Sequence, residues 1–130
     1  MNRRNYLKVM GASAAALSLP AAGAGMPIQL HLDLEVDPAK EKEMLANYRT
    51  KFHPAIVKQP GFVEVKLMKL RKEMAGKAPA NCTYHLIISF ATEENRVAWT
   101  QTPTHQQVWP TIEGTLKGQK YIALLYDVVG

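Results

Sequence analysis

The stretch PIQLHLDLEV, residues 27–36, constrains this chain more than any other. Ile28, Leu30, Leu32, Leu34 and Val36 alternate without a break with Gln29, His31, Asp33 and Glu35. Successive side chains of a strand point to opposite faces, so this is a half-buried strand with an apolar side and a polar side. The rest of the fold must supply a layer that covers the apolar side. Asp37-Pro38 then reads as a helix N-cap followed by proline at the first helical position. Met44, Leu45, Tyr48 and Phe52 recur at helical spacing, so a first helix lays one face on the sheet. His53-Pro54 is expected to kink or end that helix, and Gln59-Pro60-Gly61 to turn the chain.

A second strand is expected over Gly61–Lys72, with Val63, Val65 and Leu67 on one side and Glu64, Lys66 and Met68 on the other. A third covers Thr83–Thr92, where the continuous apolar centre points to an interior position in the sheet. Thr92 caps the next helix, and Glu93 and Glu94 occupy its first turn, where the helix dipole favours acids. Thr102-Pro103 interrupts that helix. Val108, Ile112 and Leu116, four residues apart, resume it, Gly118 ends it, and Lys120–Val129 forms the last strand. The order strand, helix, strand, strand, helix, strand is the split βαβ pattern of an α+β, ferredoxin-like antiparallel sheet, and right-handed crossovers set the first and third strands at its centre. The face not covered by helices then carries Gln29, His31, Asp33 and Glu35 beside Thr83, His85, Ile87 and Ser89. Such a mixed surface suits water, or a second subunit that closes a barrel around a partly polar cavity.

The chain has 130 residues and 47% hydrophobic content, enough for one domain with an ordinary core. Its formal charge of +5 includes Arg3, Arg4 and Lys8, and removing these three from the 16 basic residues leaves 13 against 11 acids. Interspersed charges of that balance give no clustered basic face, and nucleic acid is not an expected partner. Residues 1–24 read as an export signal: NRRNYLK, then an alanine-rich apolar run too short to span a bilayer, then Ala22 and Ala24 at the small-x-small positions of a cleavage site. Arg3-Arg4, one free position, Tyr6, Leu7 and Lys8 resemble a twin-arginine signal. That resemblance implies a periplasmic or secreted domain over residues 25–130, with no stable membrane insertion after cleavage; a start at Met26 would leave it cytoplasmic. Cys82 is the one cysteine, so no intrachain disulfide forms, and its strand parity predicts a small buried hydrophobe.

Over residues 27–129 the element order, the KQPGF turn (58–62) and the segment NRVAWTQTPTHQQVWPTIEG (95–114) resemble the dimeric α-β barrels of the antibiotic biosynthesis monooxygenase type. Gln101-Thr102-Pro103 with nearby His105 is similar to the helix segment of bacterial quinol monooxygenases. The resemblance implies a homodimer with two sheets face to face, and a reaction in which a quinol or polyphenol is oxidised by dioxygen without metal or organic cofactor. His105 is then the candidate base, since its unperturbed pKa lies near neutrality, and His31, Asp33, His85 and Trp109 are candidate pocket lining. Other relatives degrade haem with an Asn, Trp and His set. This chain departs from that set: its first strand offers His31 and no asparagine, and the residue ten after Trp99 is Trp109.

Bland readings stand beside these. The simpler reading of His105 is a partly exposed helix-start residue beside a proline break, and the simpler reading of the tryptophans is core packing. His31 and His85 with one carboxylate lack local metal-motif spacing, so a polar lining is favoured over a metal site. The fold hosts many activities, and the alternative function is a non-enzymatic module that binds a small aromatic or anionic ligand, or dimerises.

Overall fold

A computed structural model describes residues 26–130; the expected export signal lies outside the described residues. The chain runs β1 (Ile28–Val36), α1 (Glu41–Asn47), α2 (His53–Ile56), β2 (Phe62–Lys69), β3 (Tyr84–Phe90), α3 (Glu93–Thr100), α4 (Pro103–Glu113) and β4 (Leu116–Asp127). The four strands form one antiparallel sheet in the order β2-β3-β1-β4. This is the ferredoxin-like arrangement that the element order predicts. Among the described residues no helix is long and apolar enough to cross a membrane.

The central pair fixes the two faces. Leu30 pairs with Ile88, Leu32 with Leu86 and Leu34 with Tyr84, so the apolar sets of β1 and β3 share a side. The helices cover that side. Leu34, Met44, Phe52, Ile56, Leu86, Phe90 and Ile112 are almost wholly buried between the layers. Each such side chain contributes roughly 1.5–3 kcal/mol by leaving water, whereas a surface ion pair such as Lys66–Glu64, exposed at both ends, contributes about 1 kcal/mol at most. Apolar burial therefore holds the helices on the sheet.

Several local readings are refined or corrected by the structure. At His53-Pro54 the first helix is distorted, one of the two outcomes expected there, and does not end. Asp37 caps its start, accepting from the Ala39 N–H at 2.9 Å, and α1 passes into a wide π-type turn over Tyr48–Phe52 that continues into α2. In that turn the His53 N–H donates to the Tyr48 carbonyl, five residues back, so the chain stays helical around a proline that has no N–H to give. On β2, a bulge between Phe62 and Glu64 puts Phe62 against the core and leaves Val63 half exposed, while Val65 and Leu67 keep their expected side. Leu116 is not helical: α4 stops at Glu113, Leu116 pairs with Val36, and the next registered pair is Tyr121 with Leu34. Gly118 (φ +64°) and Gln119 (φ +56°) lie in the resulting bulge, so the glycine marks an excursion within β4 and not a helix end. Cys82 is half-buried in the segment before β3, where burial, ahead of Asp33 and Glu35, pushes its thiol pKa up.

The KQPGF turn closes on Gly61, whose φ of +77° belongs to the left-handed region. Its carbonyl accepts from the Ala91 N–H at 2.7 Å. A Cβ there would collide with the side chain of Asn95, whose backbone N–H is held by the Thr92 cap at 3.1 Å. Gly61→Ala is therefore expected to destabilise the domain by about 1–3 kcal/mol through strain and displacement of Asn95. A urea midpoint that falls at unchanged m is the expected readout; an unchanged midpoint would show that the turn relaxes freely.

Candidate functional site

The break at Thr102-Pro103 gives α4 a fresh N-terminus directly over the sheet. Thr102 is the N-cap: its Oγ1 accepts from the His105 backbone N–H at 3.0 Å, and Pro103 takes the first helical position. The cap satisfies the backbone of His105 and leaves its imidazole free to point elsewhere. That ring stands edge-on to Trp99 of α3, with centroids 5.0 Å apart at 87°.

Both residues line a cavity of about 300 Å³ between the helices and the sheet. Its floor is Leu30 and Leu32 of β1, Ile88 of β3 and Ala123 of β4; its walls are aromatic, from Phe52, Trp99, Trp109 and Tyr121. Trp109 meets Phe52 and Tyr121 edge to face, at 6.2 and 5.3 Å between centroids, so it serves core and cavity together. Polar groups at the wall are few: Thr100, Arg96 and His105. Arg96 is held by Glu93, with Nε and Nη2 each donating to the carboxylate at 2.7 Å. The Nδ1 of His105 is buried and has no hydrogen-bond partner among the described residues. Burial pushes its pKa below the ordinary histidine value, and the helix N-terminus acts in the same direction. The result is an imidazole favoured in its neutral form, which lines an apolar, tryptophan-walled space and keeps a buried Nδ1 without a partner among the described residues.

The five residues singled out by sequence divide between two places. His105 and Trp109 line the cavity under the helices. His31, Asp33 and His85 do not line it; they stand on the opposite side of the sheet. The cause is strand parity, since Leu30 and Leu32 contribute to the cavity floor and the residues between and beyond them must face away. On that open side His31 Nε2 lies 2.8 Å from Gln29 Oε1, His31 Nδ1 lies 3.0 Å from His85 Nε2, and His85 Nδ1 lies 2.7 Å from Asp33 Oδ1. Tyr126 of β4 stacks edge-on to His31 at 4.8 Å. The pKa of His31 is lowered, first by burial and then by His85, against an opposing pull from Asp33.

Arg96, Trp99 and Tyr121 are cavity residues that the sequence reading did not select. The spacing of Arg96, Trp99 and Thr100, three and four apart on one helix, was the available signal. Without the path of α3 over the sheet, however, that row is indistinguishable from an outer helix face.

No family model matches the chain, and no curated protein matches it. Solved structures do. A dimeric ferredoxin-like protein of unknown function from Jannaschia sp. CCS1 is 14% identical with a TM-score of 0.63, over 80% of this chain and 99% of its own. A candidate antibiotic biosynthesis monooxygenase from Caulobacter crescentus CB15 is 18% identical with a TM-score of 0.62, over 82% of this chain and 92% of its own. A heme-degrading protein from Mycobacterium tuberculosis is 21% identical with a TM-score of 0.54, over 81% and 93%. At these identities the likeness is one of fold.

The folded-state pKa of His105 lies below the unfolded value of about 6.5. Between the two the unfolded chain binds the extra proton, so this residue contributes stability that is present above about pH 6.5 and is lost as pH falls through the folded value. Unfolding free energies measured from pH 8 to 5 are expected to decline more steeply for the natural chain than for His105→Gln. Parallel profiles would place the imidazole in water.

Proposed function

We propose that the cavity is the active site of a cofactor-free monooxygenase that oxidises a quinol or polyphenol with dioxygen. The observation that carries this reading is the buried, unpartnered Nδ1 of a neutral His105 beside an apolar aromatic cavity. A neutral imidazole accepts a proton from a phenolic hydroxyl, and removal of that proton makes the ring electron-rich enough to reduce dioxygen. One oxygen atom enters the ring, the other leaves as water, and a quinol becomes a hydroxyquinone. Aromatic walls exclude water and stack on a flat substrate. Arg96 supplies the cationic group at the wall that favours the anionic form.

The protein works as a homodimer in this reading, with the open sheet faces together. Ile122, Leu124 and Tyr126 alternate along β4 and are 42%, 47% and 48% exposed. Three neighbouring apolar side chains on one edge strand suit a partner surface better than water. Arg3 and Arg4 belong to the same proposal as the signal that exports the folded domain by the twin-arginine route, and R3K/R4K is expected to retain it in the cytoplasm.

Oxygen uptake with a panel of hydroquinones, corrected for autoxidation, tests the chemistry. Saturable uptake is expected, and His105→Ala is expected to lower kcat/KM by about 10²- to 10⁴-fold, the usual contribution of a general base. Saturable binding of the same compounds without uptake would replace the enzyme with a binding module of this fold. Sedimentation tests the assembly separately: the natural chain is expected as a dimer and Leu124→Glu as a monomer, while an unshifted Leu124→Glu dimer would place the interface elsewhere.

A further inference from the structure

The pair of histidines on the open sheet face has no part in the cavity chemistry, and its hydrogen-bond geometry is specific. His31 and His85 are diagonal cross-strand neighbours, since Asp33 pairs with His85 and His31 with Ile87. Each ring is anchored at its outer nitrogen by an acceptor: Gln29 Oε1 stands 2.8 Å from His31 Nε2, and Asp33 Oδ1 stands 2.7 Å from His85 Nδ1. An acceptor at an imidazole nitrogen holds the ring proton there. The two inner nitrogens, His31 Nδ1 and His85 Nε2, are then both lone-pair nitrogens, and they face each other at 3.0 Å. Two lone pairs at that distance repel unless a cation lies between them.

We propose that His31 Nδ1 and His85 Nε2 chelate a late transition-metal ion of the copper, nickel or zinc class. Imidazole suits these ions. Tetrahedral zinc at a metal–nitrogen distance near 2.0–2.1 Å sets two ligand nitrogens about 3.4 Å apart, and cis positions of a tetragonal copper or nickel site set them about 2.9 Å apart, so the rings need to move by only a few tenths of an ångström from 3.0 Å. The Asp33–His85 pair has the carboxylate–histidine form that orients metal ligands and raises their basicity, and Gln29 does the corresponding work for His31. In the single chain the side chains of His85 and Asp33 are 32% and 21% exposed, which leaves the ion a way in before the open faces of two copies meet, and in that dimer the site lies between the sheets. Among the described residues no group of three or more potential ligands converges, so the chain contributes two nitrogens, and the other positions are open to water or to a second copy. The site is independent of the monooxygenase reading, because it lies across the sheet from the cavity.

The first test is titration of the metal-stripped full chain with Ni²⁺ or Cu²⁺ alone, by calorimetry, with Cu²⁺ electron paramagnetic resonance as the structural readout. Saturable binding with a two-imidazole-nitrogen signature is expected, at one ion per chain or one per two chains. His31→Ala and His85→Ala are each expected to weaken it at least tenfold. Asp33→Asn, which keeps both ligands and disturbs the fold least, is expected to cost about 10- to 100-fold through the lost anchor. Exposed His53 serves as the control, with His53→Ala leaving the binding unchanged. Binding that survives loss of both His31 and His85, or no saturable binding because a single proton is held between the rings with the Gln29 amide turned to donate, would overturn the proposal.

Discussion

The alternation of β1 organises everything else in the domain. A strand at the centre of a sheet has neighbours on both edges and two faces to serve, and β1 gives one face Leu30, Leu32 and Leu34 and the other Gln29, His31 and Asp33. Because the period of side-chain direction is two, a one-residue slip would turn His31 and Asp33 into the core and the leucines into water. The same strand thus roots the helix layer, lays the cavity floor and builds the polar network on the far side. The leucines cannot move without His31 and Asp33 moving too.

The second device is the break between α3 and α4. A continuous helix through residues 93–113 would bury the backbone N–H of His105 in its ladder and offer no new N-terminus at that point. Thr102 and Pro103 end one helix and start another, and the cap engages the His105 backbone while its ring faces Trp99. A neutral imidazole is favoured there because an imidazolium would lose hydration in an apolar wall and would face the positive end of α4. The helix start and the candidate base are therefore one feature. The residue type that helps begin the helix is also the one whose side chain is free to do chemistry.

Much of this was legible in the residue order. Alternation in β1, the caps at Asp37 and Thr92, the break at Thr102-Pro103 and the shared parity of Leu86 and Ile88 with the β1 leucines follow from local rules and appear in the structure. What local rules missed depends on a neighbour. Gly118 after Val108, Ile112 and Leu116 looks like a helix end, and only the pairing of Leu116 with Val36 reveals a bulged strand. Val63 shows the same limit, since the β2 bulge exists only against β3. The candidate residues fall in two places, His105 and Trp109 at the cavity and His31, Asp33 and His85 on the open face where their parity had set them. His31, His85 and Asp33 are polar, and so is part of a cavity wall, but their parity commits them to the face that His105 cannot reach. Arg96 was overlooked because an arginine paired three residues from a glutamate looks like any solvated helix turn until the helix is laid over the floor.

In the proposed reaction His105 is a neutral base beside a cavity that fits a phenol. Imidazole ¹⁵N resonances of His105, followed by NMR from pH 8 to 5 with and without a hydroquinone under anaerobic conditions, test it most directly. A neutral ring that resists protonation below the ordinary histidine range is expected, with an Nδ1 shift on adding the hydroquinone as that nitrogen gains a hydrogen-bond donor. A ring that titrates at the ordinary value and ignores the hydroquinone would contradict it.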